Sequence, residues 1–508
     1  MSLHSPERIA TYLANGWWTR DTIDALLQTQ VQARPGAPAI VDPLNKADLL
    51  PTPHKRLTWA ELDAEVSRVA NVLHAEGITP ADVVAVQLPN SVELAVTFLA
   101  VVRLGATVMP FPVQYREYEL AQLLPLAQAG LFVAAKGNDR APQGTRVLQW
   151  GGDLDTATAD PAPPYQADPG DRVTICWTSG TEATPKGVPR CHYDWLAVEA
   201  NCTAAPALTG DDVILNPFPM VNMAGIGGVF LPWLRTGAVL VQHHPFDLPS
   251  YLRQIAEEGV TYTLAPPALL TMLLTQELDL GRLTRIGSGS APLPPSMVKG
   301  WQERHGIAII NFFGSNEGIA LLSGPEQMPD PEDRARFFPR PDVPRVKLVD
   351  PEGKEITEEG VPGELRLLGP TVFAGYLAGT AAADPFDEDG YLKTGDVFQY
   401  VGEHLQYVDR AKDLIIRGGM NIAPAELEAL IQAHPAVAEV AVVGYPDEVL
   451  GERVCAVVAG EVTLEELVEF LRGKGIASYK LPERLRQVEA LPRNPLGKIL
   501  KRTLKEGL

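Results

Sequence analysis

The sequence predicts a large α/β body with parallel-rich sheets, followed by a small α+β domain. Three observations predict it. The chain of 508 residues exceeds what one hydrophobic core organises, strands and helices alternate between residues 58 and 310, and the texture changes after Arg410.

The first legible element is a helix opened by Thr58-Trp-Ala-Glu61, a capping box in which hydroxyl and carboxylate satisfy the free backbone N–H groups. Leu62, Val66, Val69 and Leu73 follow at helical spacing, and Gly77 stops the helix. Val83–Leu88 then reads as a buried strand, residues 91–104 as a helix, and Ala106–Met109 as a second strand. Strands recur around Val173–Trp177, Thr261–Leu264 and Ile307–Ile310. Parallel strands need crossover helices, so this alternation implies sheets covered on both faces. Asp42–Arg56, Asp155–Asp171 and the proline-rich Ser323–Arg345 read as linkers or surface loops. Beyond Arg410 a helix near 423–434, strands near 437–443 and 454–458, and a helix near 464–472 form a smaller unit. The expected domains are residues 1–409 and 410–508.

Charge and cysteine content narrow the function classes. Lys and Arg number 43 against 63 Asp and Glu, a formal charge of -20, which repels phosphate polymers and anionic lipid. Nucleic acid is therefore not an expected partner. Four cysteines without C-x-x-C spacing form neither a disulfide framework nor a zinc site, and with no visible signal peptide the expected compartment is the cytoplasm. Val213–Leu234 is uncharged, but Pro217, Pro219, Pro232, Asn216 and Asn222 make it a buried strand, loop and helix and not a membrane span. Residues 471–508 reverse the overall sign, with ten Lys and Arg against three Asp and Glu. That balance of +7 leaves -27 on residues 1–470 and suits small polyphosphates as well as an ordinary solvated face.

The loop Thr178-Ser-Gly-Thr-Glu-Ala-Thr-Pro-Lys-Gly187 follows a predicted strand, and its small residues, hydroxyls and Lys186 suit a phosphate. It is not a Walker A motif, and taken alone it reads equally as a flexible loop. Phe313-Gly-Ser-Asn-Glu317, Gly363-Glu-Leu, Gly375-Tyr, Tyr391-Leu-Lys-Thr-Gly-Asp396, Asp409 to Glu428 and Asn494-Pro-Leu-Gly-Lys498 follow in order. This set closely resembles the adenylate-forming ANL superfamily, which comprises acyl-CoA synthetases, peptide-synthetase adenylation domains and luciferases. The resemblance runs from Leu57 to Lys498.

It implies roles for residues at matching positions. Thr178, Ser179, Gly180, Thr181 and Lys186 would cradle the ATP phosphates. Glu317 would help bind Mg2+, and Phe313, Gly314 and Asn316 of the same motif would contact the nucleotide. Gly289 and Ala291 match the segment lining the adenine and acyl sites, and Asp396 and Arg410 would reach the ribose. Lys412 matches a hinge, and Gly418 and Gly419 a region presented to the thiol channel. Lys498 would contact carboxylate and α-phosphate during adenylation. Asn222, Met223, Gly225, Gly227 and Ser288 are the expected acyl-pocket residues, with the small residues giving room for a sizeable apolar acid. Each has a structural alternative: Asp396 as a turn residue, Lys412 as half of a surface pair with Asp413, Glu317 as a helix cap. Three lone or paired histidines, His192, His243 and His244, carry no expected role.

Two departures from the pattern stand out. Glu182 and Ala183 replace the usual Thr-Gly, placing a carboxylate near the triphosphate. Pro217–Gly228 contains no acid to pair with a substrate ammonium, which argues against α-amino acids. Asn15-Gly-Trp-Trp-Thr looks like dihydroxybenzoate–AMP ligases, whereas Phe111 to Leu120 looks like fatty-acyl and cyclohexanecarboxylate ligases. The resemblance therefore implies an ATP-, Mg2+- and coenzyme A-dependent ligase for an aryl, carbocyclic or fatty acid. Loading of a carrier protein in trans, and nucleotide binding without ligase activity, are the alternatives, with a homodimer left open.

Overall fold

The structure, a computed structural model, describes residues 2–508 except 81, 139, 179–184, 382, 411–412, 418–419, 448–449, 475, 477, 494–498 and 507. Its contacts divide into two units, one built mainly from residues 1–335 with 369–385, the other from 336–368 and 386–508. The sequence boundary at 409/410 falls inside the second unit, at the end of the strand His404–Arg410.

Local signals fix the helices of the first unit. Thr58 and Glu61 close the capping box of Trp59–Ala75, and the Ser91 hydroxyl accepts from Leu94 N–H to start Val92–Arg103. Val92–Arg103 is buried through Val102, being mostly apolar with Glu93 and Thr97 buried among its apolar residues. Phe98 meets Phe230 edge-on within that core, with ring centroids 5.0 Å apart.

Two sheets flank this core. One runs in the order Val147–Trp150, Leu131–Ala135, Val83–Gln87, Thr107–Pro110, Arg172–Trp177, Gly187–Cys191. The other runs Ala320–Ser323, Ala308–Gly314, Arg285–Gly289, Tyr262–Leu264, Val213–Asn216, Val239–Gln242, Pro38–Val41, Arg56–Thr58. Interior pairs are parallel, and antiparallel hairpins close two edges, pairing Trp177 with Gly187 and Gly314 with Ala320. Those two hairpins present the phosphate-loop and Glu317 motifs.

Segments expected to be surface loops are partly buried. Lys46 in 42–56 is 1 % exposed, held by Asp42 (2.7 Å) and by Glu93, which lies far along the chain. In 323–345, Pro331–Arg336 is helical, and the buried Arg334 donates to Ile309 O, Met328 O and Gln302. Charges that are paired or fully hydrogen-bonded tolerate burial, and Glu93, Ile309 and Gln302 lie far along the chain from the residues they hold, so local composition misled. Val213–Leu234 forms a strand, a three-residue helix at Met223–Gly225, a π-helical turn at Ile226–Phe230 and the start of the helix Leu231–Thr236. Among the described residues no helix is long and apolar enough to cross a membrane.

The second unit holds an antiparallel sheet in the order Phe337–Pro339, His404–Arg410, Leu392–Val401, Gly363–Leu368, Arg345–Val349, Glu355–Ile356. A further sheet is built on the hairpin Val437–Asp447 and Gly451–Gly460, packed with the helices Pro424–Ile431 and Leu464–Gly473 through Leu427, Ile431, Leu467 and Leu471. The strands run longer than their apolar runs because hairpin pairing carries them to the turn.

Candidate functional site

The hairpin that carries the phosphate-loop motif is pinned at its base. Thr178 N–H donates to Lys186 O at 3.0 Å, and Lys186 N–H returns to Thr178 Oγ1 at 3.2 Å. Gly187 then accepts from Leu377 N–H at 2.8 Å, which brings residues 376–377 alongside. The Lys186 ammonium lies 5.3 Å from the centre of the Tyr376 ring, a cation–π contact. Ser179, Gly180, Thr181, Glu182 and Ala183 lie outside the described residues.

The second hairpin delivers Glu317 to the same tyrosine. Tyr376 donates its hydroxyl hydrogen to Glu317 Oε1 at 3.0 Å, while Phe373 N–H donates to Glu317 O at 3.0 Å. Gly318 adopts φ +116, and a Cβ there would stand 2.1 Å from Thr371 O, so only glycine admits this approach. Arg190 lies beneath, fully buried, donating to Asn316 O at 2.7 Å, Thr371 O at 2.8 Å and Asp194 O at 3.0 Å. Burial lowers the Arg190 pKa, with Asp194 foremost among the acids that oppose the shift. Asn316 Oδ1 accepts Met223 N–H at 2.9 Å, tying the Glu317 turn to the expected acyl segment. The helix-cap alternative for Glu317 fails, because its carboxylate contact is with a tyrosine and it precedes no helix.

The acyl segment departs from expectation in one respect. Asn222 caps Met223–Gly225, its Oδ1 accepting from Ala224 and Gly225 N–H at 3.1 and 3.3 Å. A Cβ on Gly225 would meet Pro219 O at 2.1 Å, and one on Gly227 would meet Val198 at 2.9 Å, Met223 at 3.1 Å and Trp195 at 3.2 Å. Those glycines admit neighbouring chain instead of opening a wide pocket; only Gly228 has its nearest neighbour as far as 3.9 Å. Met223 and Phe312 pack with Val198, Cys202 and Ala320 into one apolar cluster. Ser288 is 3 % exposed with its hydroxyl unpartnered, and Gly289 lets Phe312 O approach a would-be Cβ at 2.3 Å. Phe313 is half-buried, while Ala291 and Gly314 are exposed.

In the second unit Asp396 and Arg410 are cross-strand partners, and Arg410 Nε lies 2.6 Å from Asp396 Oδ1. Asp396 is 1 % exposed, so the expected ribose carboxylate is a pre-oriented strand residue and not a flexible turn. Next to it Asp409 accepts N–H groups from Arg410 (2.7 Å) and Ala425 (2.9 Å); burial raises its pKa despite Lys501 nearby. Lys412, Gly418, Gly419 and Lys498 lie outside the described residues. His192 and His243 are held in the packing: His192 Nδ1 accepts Ile23 N–H at 3.1 Å and His243 pairs with Gln254 at 2.7 Å, while burial pushes His192 and His244 down to about 4.

Residues 27–377 match the model of the AMP-binding enzyme family, and residues 426–498 match the AMP-binding enzyme C-terminal domain. The chain belongs to the AMP-binding enzyme family. It is thus an AMP-forming acid–thiol ligase that uses ATP. The salicyl-AMP ligase / salicyl-S-ArCP synthetase of Mycobacterium tuberculosis is 30% identical over 98% of this chain and 93% of its own length. The long-chain-fatty-acid–CoA ligase FadD13 of the same organism is 33% identical over 92% and 96%. ATP-bound MatB from Rhodopseudomonas palustris superposes with a TM-score of 0.83 at 27% identity, covering 96% of this chain and 99% of that one.

Two residues gathered around Glu317, namely Tyr376 and Arg190, escaped the sequence reading. Tyr376 stood in a recognised Gly375-Tyr pair but carried no role, because its partners Lys186 and Glu317 are brought to it only by the fold. Arg190 left no signal beyond being a charge in an apolar strand.

Proposed function

We propose that the enzyme is a Mg2+- and ATP-dependent carboxylic acid–coenzyme A ligase that works through an acyl-adenylate. The observation that carries this is the pairing of Lys186 and Glu317 on one tyrosine, in a chain similar over nine-tenths of its length to acid–AMP and acid–CoA ligases.

A carboxylate is a poor electrophile, since direct thiol attack would have to expel oxide. Attack by its oxygen on the α-phosphorus of ATP forms a new P–O bond and breaks the bond to the β-phosphate, releasing pyrophosphate. The thiol sulfur then attacks the acyl carbon, its proton is lost, and AMP leaves with the electron pair of the C–O bond. Both partners in the first step are anions, so their repulsion must be offset.

In this reading Lys186, with Thr178, Ser179, Gly180 and Thr181, draws in the β- and γ-phosphates. Glu317 offers a carboxylate held by Tyr376 on a hydrogen-bonded turn, which fits Mg2+, an ion that takes one or two carboxylates and fills its shell with phosphate oxygens and water. Bound there, Mg2+ would neutralise phosphate charge. Tyr376 orients the Glu317 carboxylate and stacks beneath the Lys186 ammonium. Asp396 and Arg410 hold the ribose, and Lys498 bridges carboxylate and α-phosphate. Rotation about Lys412 would withdraw Lys498 and bring Gly418 and Gly419 to the thiol, an ordinary gating role for a small domain.

The acid is aryl, carbocyclic or fatty, and the tight packing at Gly225 and Gly227 favours the compact members of that range. Cytoplasmic residence accords with four buried, unpaired cysteines. The second reading, a ligase that loads a carrier protein, is favoured by the salicyl-AMP ligase similarity across 98% of the chain. Mass spectrometry of reactions containing ATP, an acid panel and either coenzyme A or a carrier protein separates them. Thioester on coenzyme A supports the first; thioester on carrier protein alone replaces it with the second.

A further inference from the structure

The Glu317 turn is held from behind by a segment near the N-terminus that precedes the family-matched span of residues 27–377. Arg8 donates from Nη2 to Gly369 O and to Val372 O, both at 3.1 Å. Trp18 donates its indole N–H to Pro370 O at 3.0 Å. The segment is itself moored. Trp18 stacks on Tyr193 with centroids 4.5 Å apart and planes 12° apart, Tyr12 meets Trp18 edge-on, and buried His4 bonds Asp194 at 2.7 Å.

Residues 369–373 pass this restraint on. Three of their carbonyls, at 369, 370 and 372, face the N-terminal segment, whereas Thr371 O and Oγ1 and Phe373 N–H face the Glu317 turn. Thr371 Oγ1 donates to Gly318 O at 2.8 Å, Phe373 N–H donates to Glu317 O, and three residues later Tyr376 reaches the Glu317 carboxylate. Arg190 joins both strands of the contact, donating to Asn316 O and to Thr371 O. The strand of chain carrying Tyr376 is thus fixed on one side by Arg8 and Trp18 and on the other by Glu317 and Gly318. A shift of it would move the tyrosine hydroxyl and the carboxylate together.

We propose that Arg8 and Trp18 are positioning residues that set Glu317 for the metal–nucleotide complex, so that the N-terminal segment is part of the ATP site's support. This rests on the reading of Glu317 as the Mg2+ carboxylate. A purely structural role predicts lower thermal stability when Arg8 or Trp18 is altered, with no selective effect on metal. A positioning role predicts weaker metal–nucleotide binding with binding of the acid spared, on the scale of about tenfold seen when outer-shell partners of a metal ligand are removed.

The test uses the full-length enzyme with Arg8→Met, Arg8→Lys and Trp18→Phe. Binding of Mn2+ with ATP, read by loss of the free Mn2+ paramagnetic signal, is measured without acid, alongside the Mg2+ dependence of pyrophosphate exchange and the KM for the acid. Arg8→Met should weaken Mn2+–ATP binding and raise the half-saturating Mg2+ by about tenfold, with the KM for the acid within twofold of wild type. Arg8→Lys should recover part of the loss, because one ammonium still reaches a carbonyl, and Trp18→Phe, which keeps the stack, should show the metal effect with little change in melting temperature. A lowered melting temperature with unchanged Mn2+–ATP binding in both Arg8→Met and Trp18→Phe would overturn the proposal. Absence of exchange by the wild type with every acid would instead remove the ligase reading beneath it.

Discussion

The hydroxyl of Tyr376 lies 3.0 Å from Oε1 of Glu317, and the same ring lies under the ammonium of Lys186 at 5.3 Å. One aromatic side chain therefore orients a carboxylate with its polar tip and a cation with its face, the two charges proposed to meet the metal–triphosphate complex. Tyr376→Phe should keep the cation–π contact and lose the hydrogen bond. The expected result is a rise of about tenfold in half-saturating Mg2+ for pyrophosphate exchange. Tyr376→Leu should in addition raise the KM for ATP, because the ammonium loses its platform. A Phe variant with wild-type Mg2+ dependence would remove Tyr376 from this role.

Asp396 and Arg410 make a separate prediction. Asp396→Asn leaves the side chain's shape but removes the charge facing Arg410 and the two-fold acceptor proposed for the ribose hydroxyls. The KM for ATP should rise while the KM for the acid stays near wild type, and discrimination between ATP and its 2′-deoxy analogue should narrow. Steady-state kinetics with both nucleotides checks this; equal discrimination before and after would count against ribose contact.

How much of this was legible beforehand depended on the range of the interaction. The capping box at Thr58 and the helix expected over 91–104, found at Val92–Arg103, are set by neighbours three or four residues away, so spacing alone located them, although the Ser91 cap itself was seen only in the structure. Lys46 and Arg334 were misplaced on the surface because their partners, Glu93 and the carbonyl of Ile309, come from other elements. Motif order led to Glu317 and Asp396. Tyr376, Arg190 and Arg8 act through carbonyls and rings that only the folded chain gathers, and glycines at 225 and 227 look like open space until the carbonyl of Pro219 and the side chain of Val198 occupy it.

The buried histidines predict acid sensitivity. His192 titrates near 4 in the folded chain because burial disfavours its charged form, against about 6.5 when unfolded. The unfolded state then binds the extra proton between those values, so stability is full above about pH 6.5 and falls as the pH drops toward 4. The loss attributable to His192 is on the order of 3 kcal/mol across that window. Thermal melts from pH 7.5 to 4.5 should show the decline, and His192→Asn, which retains an acceptor for Ile23 N–H, should flatten it. A slope unchanged by this substitution would locate the sensitivity elsewhere.

Separating the two half-reactions tests the roles proposed for Lys498 and Lys412. Lys498→Ala should abolish acyl-adenylate formation yet largely spare thioester formation from supplied acyl-adenylate. Lys412→Pro, which stiffens the proposed hinge, should do the reverse and chiefly slow the second step. Equal damage to both steps by either variant would contradict alternating use of the small domain.

The proposed function rests on activation of a carboxylic acid at the α-phosphorus of ATP. ATP–pyrophosphate exchange measured across aryl, carbocyclic and fatty acids addresses it directly, because label enters ATP only if the adenylate forms reversibly. Exchange should depend on one class of acid and on Mg2+, and should be lost in Lys498→Ala. Binding of ATP with no exchange supported by any acid would contradict the proposed function.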